Sequence, residues 1–409
     1  MANKWGGGTS TFFAYTHGSH DICPALLAPL LPLIRAELGL TYFQSGILLS
    51  AYTITVGLSQ FLGGWLGDRY NRWAVIAIGL AGVGSATIAF GFSSAYHQML
   101  ILLVTMGIFA GAYHPSAIPL LYSHSQAKTG GKVLGLHHVG GSAGYALAPI
   151  IGGLIVDLSN WKMAFIILGI PALIAMFLVI RKFTNEKAIG SATGITSSSS
   201  SSSTTEAIEK RISTFQALKP VAVILIMTVL SQFVVGTTMA FFPIYLVDKY
   251  GIAAVSAALL IGLLRSGGIA GSLFGGWLSD RWTRINAVIL ALVVTGPFLY
   301  LIIMIPFNAF FIVAMVVFGI VALMRQSTVQ PYLMENTPPY LRATMMGIFF
   351  GLGQEGTSLM QPLAGYYMDI FGIVPVFNFI ALIGLILSVA LLLIIFISRK
   401  FKPNNINLR

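Results

Sequence analysis

Long apolar runs recur from one end of this chain to the other, and no other feature limits its fold as much. A helix needs about 20 mainly apolar residues to cross the hydrocarbon core of a bilayer. By that measure the sequence contains twelve candidate spans, roughly at residues 12–34, 44–66, 74–93, 98–121, 132–156, 162–182, 218–246, 253–277, 286–305, 309–333, 341–366 and 374–398. The pattern predicts a polytopic helical membrane protein.

Charged residues are scarce and unevenly placed. The 409 residues include only 23 Lys and Arg and 12 Asp and Glu, or 9%, whereas soluble domains carry about a quarter. The net charge of +11 would suit nucleic-acid binding, but the basic residues lie in short segments between apolar runs. We therefore expect this chain to lie in a lipid bilayer and to bind no nucleic acid. Cys23 is the single cysteine, so an internal disulfide cannot form.

The basic residues also predict the orientation. With the N-terminus inside the cell, 18 of the 23 lie in the tails and cytoplasmic loops, against three on the opposite side, Arg35, Lys162 and Lys249. An excess of Lys and Arg marks the cytoplasmic side of a membrane protein. We expect a multi-pass protein of the plasma membrane with both termini cytoplasmic.

A long polar segment divides the spans into two sets of six. Residues 184–214 include seven consecutive serines at 197–203, and this composition favours a flexible linker. A phosphorylated regulatory loop is the alternative. The predicted domains are an N-terminal six-helix bundle at 1–183, this Ser-rich cytoplasmic linker, and a C-terminal six-helix bundle at 215–409.

The two halves are repeats at an offset of 212 residues. The segment GGWLGDR at 63–69 matches GGWLSDR at 275–281, and Arg72 matches Arg284. The same offset carries Gly141, Gly144, Gly153 and Asp157 onto Gly353, Gly356, Gly365 and Asp369. Both copies begin on the same side of the membrane, so the repeats are parallel.

The repeated segment resembles the G-x-x-x-D-R-x-x-R signature of the major facilitator superfamily, which occurs here at 64–72 and 276–284. The resemblance covers the whole chain. It implies an all-α integral membrane fold of 12 transmembrane helices in two parallel six-helix bundles, and a secondary transporter that works by alternating access. The segments 16–21, 113–116 and 347–351 also resemble elements of the fosmidomycin-resistance-type exporters.

Each copy of this motif puts one carboxylate and two guanidinium groups at the cytoplasmic edge, too far from the midplane to touch substrate. An Asp repeated at the same place indicates an electrostatic latch rather than a topology signal alone. Glu335 and Arg342 are candidates to join the second copy. The predicted cytoplasmic gate residues are Asp68, Arg69, Arg72, Asp280, Arg281 and Arg284.

Charged side chains near the bilayer centre are costly, so the few that occur are candidate functional groups. Asp21 lies about 14 Å into the first span, and His17 lies one turn before it on the same face. Such a pair can exchange a proton near neutral pH. We expect proton coupling by Asp21, His17 and, in span eleven, Glu355. The alternative is a buried ion pair that only joins helices, and His20 is expected to point away.

Two arginines lie inside spans, Arg265 in the eighth and Arg325 in the tenth. A guanidinium group suits carboxylate or phosphonate oxygens, so we expect an anionic small-molecule substrate. In the alternative, one of these arginines forms a structural ion pair with Glu355. The predicted substrate-binding set is Arg265, Arg325, His114, Gln232 and Tyr145.

Other classes of protein fit less well. His17, Asp21, His114 and His138 are metal-ligand types, but no metal-binding spacing occurs, so we expect no metal and no cofactor. An enzyme would need a nucleophile beside a base, which is not found, and the duplicated six-span units favour a transporter over a channel.

The predicted function is export of a small organic anion or drug-like compound by a monomeric proton antiporter. The alternative is proton-coupled uptake of a small carboxylate.

Overall fold

The computed structural model describes residues 6–123, 130–193, 221–338, 345, 348–349, 352–353 and 356–401. Among these, the side chains of residues 6–9, 68, 119, 122–123, 130–135, 185–193 and 398–401 are outside the description. The helices are α1 (Gly6–Asp21), α2 (Leu27–Leu38), α3 (Tyr42–Arg69), α4 (Arg72–Gly91), α5 (Tyr96–Ala110), α6 (Tyr113–Ser123), α7 (Gly130–Leu158), α8 (Trp161–Thr193), α9 (Ala222–Tyr250), α10 (Ala254–Arg281), α11 (Arg284–Met304), α12 (Ala309–Glu335), α13 (Gly356–Phe371) and α14 (Ile373–Phe401).

Ten membrane spans are found among the described residues by length and apolar composition, and they match ten of the twelve predicted spans. Of the other two, the first is divided between α1 and α2. The eleventh, predicted at 341–366, lies partly outside the described residues and ends in α13.

The first span is interrupted about midway along its length. Pro24 has no N–H group to donate and cannot continue α1, so α1 ends at Asp21 and a short 3₁₀ helix, Pro24–Leu26, leads into α2. Interrupted helices occur in membranes where they line a cavity or are covered by protein. The break leaves His20 and Asp21 in the last turn of α1.

The fourth span is interrupted as well, between α5 and α6. Pro115 cannot donate the helical hydrogen bond to the carbonyl of Gly111. At this break α3 comes very close, because a β-carbon at Gly111 would lie 2.5 Å from the β-carbon of Ser59. The interruption leaves the carbonyl oxygen of Ala110, at the end of α5, available to a side chain.

The molecule has two ends that differ in how the halves meet. We call the end that carries residues 66–72 and 278–284 the motif end, and the end that carries residues 35–42 and 248–254 the opposite end. Toward the opposite end the halves touch closely: a β-carbon at Gly46 would lie 2.6 Å from the carbonyl oxygen of Gln361. Among pairs whose partners are both described, no hydrogen bond or ion pair joins the halves at the motif end.

The first residues of the predicted linker are helical. Helix α8 continues to Thr193, ten residues into the segment 184–214 that composition indicated as flexible. Glu, Lys and Ala occupy the start of this stretch, and all three favour helix. Residues 194–214, with the serine run, lie outside the described residues.

Candidate functional site

A buried carboxylate in the N-terminal half is bound by two histidines. Asp21 is only 6% exposed. Its Oδ2 lies 3.1 Å from Nε2 of His17, and its Oδ1 lies 2.7 Å from Nδ1 of His20. The expected pair of Asp21 and His17 is therefore present. The expectation that His20 points away is wrong, because α1 ends at Asp21 and the free helix end lets neighbouring side chains converge.

Both histidines lie between two hydrogen-bond acceptors. The second ring nitrogen of His17, Nδ1, is 2.8 Å from the backbone oxygen of His137, and that of His20, Nε2, is 3.3 Å from the backbone oxygen of Ala110. A neutral imidazole has only one N–H group. Four hydrogen bonds need four protons, and two neutral rings supply only two. All four contacts are therefore hydrogen bonds only if His17, His20 and Asp21 together hold two more protons than two neutral rings and an ionised carboxylate do. The charge of the group is −1 with neither extra proton and +1 with both.

More histidines surround this proton network, which we define as His17, His20 and Asp21. The ring of His137 stacks on His17 with centroids 4.1 Å apart, and the half-buried His114 meets the same ring edge-on at 5.0 Å. His137 was not among the predicted site residues, because its place depends on how α7 packs on α1. The glycines of α7 were the available signal, because small residues mark close helix packing in membranes.

Glycine at position 141 of α7 makes room for the network. A β-carbon there would lie 2.5 Å from Cε1 of His17 and 2.7 Å from Oδ2 of Asp21. On the same helix, Gly140 lies beside Gly18: a β-carbon at Gly18 would be 2.8 Å from the carbonyl oxygen of Gly140. The two helices can therefore approach until α7 covers the carboxylate.

Ligand atoms of metal-binding type do come together in this cluster. One set is His17, His114 and His137, the other is His20, Asp21 and His114, and in each the atoms lie within 4.8 Å of one another. Their nitrogens are largely engaged, however, because His17 and His20 each use both ring nitrogens on oxygen acceptors. The geometry fits a hydrogen-bonded proton network better than a metal site.

The C-terminal half has a guanidinium group beside a cavity. Arg325 is 5% exposed and borders a space of about 80 Å³. Its Nη2 donates to Oε1 of Gln232, its Nη1 lies 3.5 Å from the backbone oxygen of Thr228, and its buried Nε has no partner in the described part of the chain. The wall therefore presents N–H donors, which suits a group that only accepts hydrogen bonds.

The second arginine reaches across to the N-terminal half. The Cζ atom of Arg265 lies 5.1 Å from the centre of the Tyr145 ring, which is a cation–π contact. Its Nε is also buried, with no hydrogen-bond partner among the described residues. Four of the five predicted substrate residues thus form two pairs, while His114 lies in the histidine cluster. Glu355 is outside the described residues.

The two sites occupy equivalent positions in the repeat. Adding 212 carries Thr16, His17, His20, Tyr113, His114, His137 and Gly141 onto Thr228, Val229, Gln232, Arg325, Gln326, Phe349 and Gly353. The second set lines the cavity beside Arg325. One scaffold position thus carries titratable groups in one half and a permanent cation in the other.

At the motif end, each described gate residue contacts its own half. Asp280 lies 2.7 Å from Nη1 of Arg284, whose Nε lies 2.9 Å from Glu335, so Glu335 joins this motif as expected. Arg281 lies over the ring of Trp277.

The first motif copy is arranged in a similar way. Arg69 lies over the ring of Trp65, and Nε of Arg72 donates to the carbonyl oxygen of Gly67. The side chain of Asp68, like the whole of Arg342, falls outside the description.

The opposite end is joined across the halves by a group that sequence reasoning missed. Arg35 Nη1 and the hydroxyl of Tyr42 lie 3.0 and 2.6 Å from Oδ2 of Asp248. Asp369 accepts hydrogen bonds from the backbone N–H groups of Tyr42 and Phe43, at 2.8 and 2.9 Å. A carboxylate from the C-terminal half therefore caps the first turn of α3 in the N-terminal half. The repeat of Asp157 and Asp369 was the available signal.

Comparison with known proteins decides the family. The model of the Major Facilitator Superfamily matches residues 11–360. The chain belongs to the major facilitator superfamily. Proteins of this family are secondary transporters rather than enzymes, and this chain is a multi-pass protein of the plasma membrane. The family resemblance seen in the motif is confirmed, while the narrower one to fosmidomycin-resistance-type exporters stays a prediction.

Two relatives of known or probable function are similar to this chain. A probable hexose phosphate transport protein of Chlamydia trachomatis is 29% identical over 295 residues, which cover 67% of this chain and 62% of the relative. This match thus spans about three fifths of the relative's length. The cis,cis-muconate transport protein of Acinetobacter baylyi is 22% identical over 345 residues, covering 83% and 82%.

A solved structure shows the same fold. The inward-facing, occupied crystal structure of a bacterial homolog to the human lysosomal transporter Spinster superposes with a TM-score of 0.78. The alignment covers 96% of this chain and 97% of that one, at 15% identity. At this identity the likeness concerns the fold alone.

Proposed function

We propose that this protein transports a small organic anion together with protons by alternating access. The observation that carries the proposal is the guanidinium group of Arg325, buried beside a cavity with no described carboxylate paired to it. A buried charge without a counter-ion is strongly unfavourable. An anionic substrate supplies the missing charge, and the names of the relatives, hexose phosphate and muconate transport proteins, agree with that class.

The proton network is the proposed coupling device. It changes charge between −1 and +1 according to how many of its four contacts hold a proton, and it lies in the half that does not carry Arg325. His114 touches both histidines, with ring centroids at 5.0 and 5.3 Å, and is half-buried. It is the member of the cluster best placed to sense a substrate between the halves.

Electrostatics gives the sign of the coupling. An anion between the halves is attracted by the network at +1 and repelled at −1. Each ligand then raises the affinity for the other by the same factor. Anion and proton therefore bind together, which makes the protein a symporter and favours uptake, the alternative left open by the sequence. Export by proton exchange would need the two ligands to exclude each other.

The gates follow from the contacts between the halves. Arg35, Tyr42, Asp248 and Asp369 hold the opposite end closed. With the termini cytoplasmic, as the basic residues indicate, this conformation faces inward. Closure at the motif end then requires new contacts between the two motif copies, in which Asp68 and Asp280 are the proposed latch carboxylates.

The test is proton movement during anion uptake. Purified protein in liposomes, at zero membrane potential and with a pH dye inside, receives external cis,cis-muconate or glucose 6-phosphate. We expect anion uptake to acidify the interior. An interior that becomes alkaline during uptake would indicate proton exchange, and uptake without any pH change would reject coupling. No uptake of either probe would reject the proposed substrate class.

A matched pair of variants makes the test specific. Arg325→Gln removes the proposed anion ligand and should abolish uptake. Arg181→Gln makes the same change at an exposed position at the end of the sixth span, and uptake should match the unaltered protein. Equal loss in both variants would mean that the effect of Arg325→Gln is not local.

A further inference from the structure

Two guanidinium groups with a buried Nε atom, not one, lack a counter-ion among the described residues. The Nε atoms of Arg265 and Arg325 are both buried without a hydrogen-bond partner among the described residues. No described carboxylate forms an ion pair with either arginine. The buried carboxylate of Asp21 is instead bound by His17 and His20. A substrate with one negative charge would balance one arginine and leave the other uncompensated.

The two guanidinium groups are separate sites. Arg325 contacts Gln232 and Thr228 within the C-terminal half, while Arg265 lies over Tyr145 of the N-terminal half. No described residue contacts both. Each group is therefore in a position to bind an acidic group of its own.

Close contacts between helices show that Arg265 and Arg325 lie at different levels along the axis of α10. A β-carbon at Gly262 would lie 3.3 Å from the carbonyl oxygen of Ala146, which puts Arg265 beside Tyr145. A β-carbon at Gly275 would lie 2.8 Å from the carbonyl oxygen of Met324, so Arg325 lies level with Gly275. Positions 265 and 275 of α10 differ by about 15 Å along the helix axis.

We propose that the substrate is an elongated dianion with an acidic group at each end, an assignment that rests on the proposed anion transport. Arg325 and Gln232 bind one acidic group, and Arg265 binds the other against the face of Tyr145. Because Arg265 already touches the N-terminal half, the second group ties the two halves to the same substrate molecule. Recognition of both ends also excludes monoanions of the same length, since they leave one arginine unpaired.

The test compares acids of equal length and different charge. Ligand-induced shifts in thermal unfolding are measured in detergent with two pairs, hexanoate with adipate and octanoate with suberate. We expect a dianion of at least one pair to bind about 30-fold or more tightly than its monoanion, as a lost partner of a buried charge predicts. Arg265→Gln should remove that preference, and Arg325→Gln should abolish binding of both members.

Further variants keep the outcomes distinct. Arg265→Lys retains the charge and should retain most of the preference, and Arg181→Gln is the matched control. Unfolding without ligand shows whether each variant is folded. A monoanion that binds as tightly as its dianion, or a preference that survives Arg265→Gln, overturns the dianion proposal and leaves anion transport standing. No shift with any of the four acids counts against both proposals.

Discussion

The two halves of this protein use one architecture for two different sets of polar groups. At the repeat position where the N-terminal half has Tyr113 and His20, the C-terminal half has Arg325 and Gln232. The first half surrounds Asp21 with titratable rings, whereas the second presents a guanidinium group to a cavity. Imidazole is the side chain that ordinarily titrates near neutral pH, whereas the guanidinium group of arginine stays protonated.

In the proposed mechanism, this difference divides the work of coupled transport between the two halves. A permanent cation can bind an anion, but its charge does not respond to the proton gradient. A proton network responds to the gradient but does not itself bind the anion. Separating them lets the two ligands interact through space without competing for the same atoms. The contact between Arg265 and Tyr145 joins the two halves.

The largest expected effect comes from removing the charge that sets the N-terminal half apart. Asp21→Asn mimics a permanently protonated acid and should abolish accumulation driven by a pH step, while substrate binding and exchange across the membrane persist. Accumulation and counterflow in proteoliposomes measure the two activities separately. Asp157→Asn, an exposed carboxylate in the same half, is the control. Vesicles with Asp21→Asn that still concentrate substrate after a pH step would show that the coupling group lies elsewhere, and Glu355 would be the next candidate.

A smaller effect is expected in the other half. Arg325→Lys keeps the positive charge but loses the fork that binds Gln232 and substrate together. Affinity should fall by the worth of a charged hydrogen bond, about 1.5–3 kcal/mol, with the dependence on pH unchanged. Titration calorimetry at two pH values checks both points, with Arg181→Lys as the matched control. A change in pH dependence would break the proposed separation of roles.

At the opposite end, we can compare Asp369 with Asp157, the residue at the equivalent position of the repeat, for its effect on closure. Asp369 caps α3 across the halves, whereas Asp157 has no hydrogen bond or ion pair with another described residue. Asp369→Asn should weaken closure by about 1 kcal/mol, the worth of a helix cap. Asp157→Asn should change nothing.

Thiol labelling measures this opening. The buried Ala258, 0% exposed and close to Gly153 of the other half, can be changed to Cys in a Cys23→Ser background. We expect its labelling rate to rise about fivefold in Asp369→Asn, in line with the loss of one cap. Equal rates in the two variants would mean that the cap does not hold the gate.

The smallest effect is expected from the segment between the halves. Deleting residues 197–203 should leave transport rate and affinity nearly unchanged, because a modest change in linker length alters its closure entropy by less than about 0.6 kcal/mol. Transport by the deletion variant relative to the full chain measures this. A large loss would instead indicate that the serine run has a specific role, such as regulation by phosphorylation.

The sequence by itself determined the membrane fold, the repeat and most of the candidate groups. Span length follows from the bilayer thickness and the polarity of the backbone, so twelve apolar runs could be counted without knowing how they pack. The pairing of His17 with Asp21 was also accessible, because a spacing of four residues fixes neighbours on a helix.

Tertiary structure alone decided which of these groups meet. His137 reaches His17 only because α7 packs on α1 through glycines, and His20 turns to Asp21 only because α1 ends there. The cap by Asp369 on α3 joins residues 327 positions apart. Local sequence fixes periodicity along one helix, whereas contacts between helices depend on the close packing of the whole bundle.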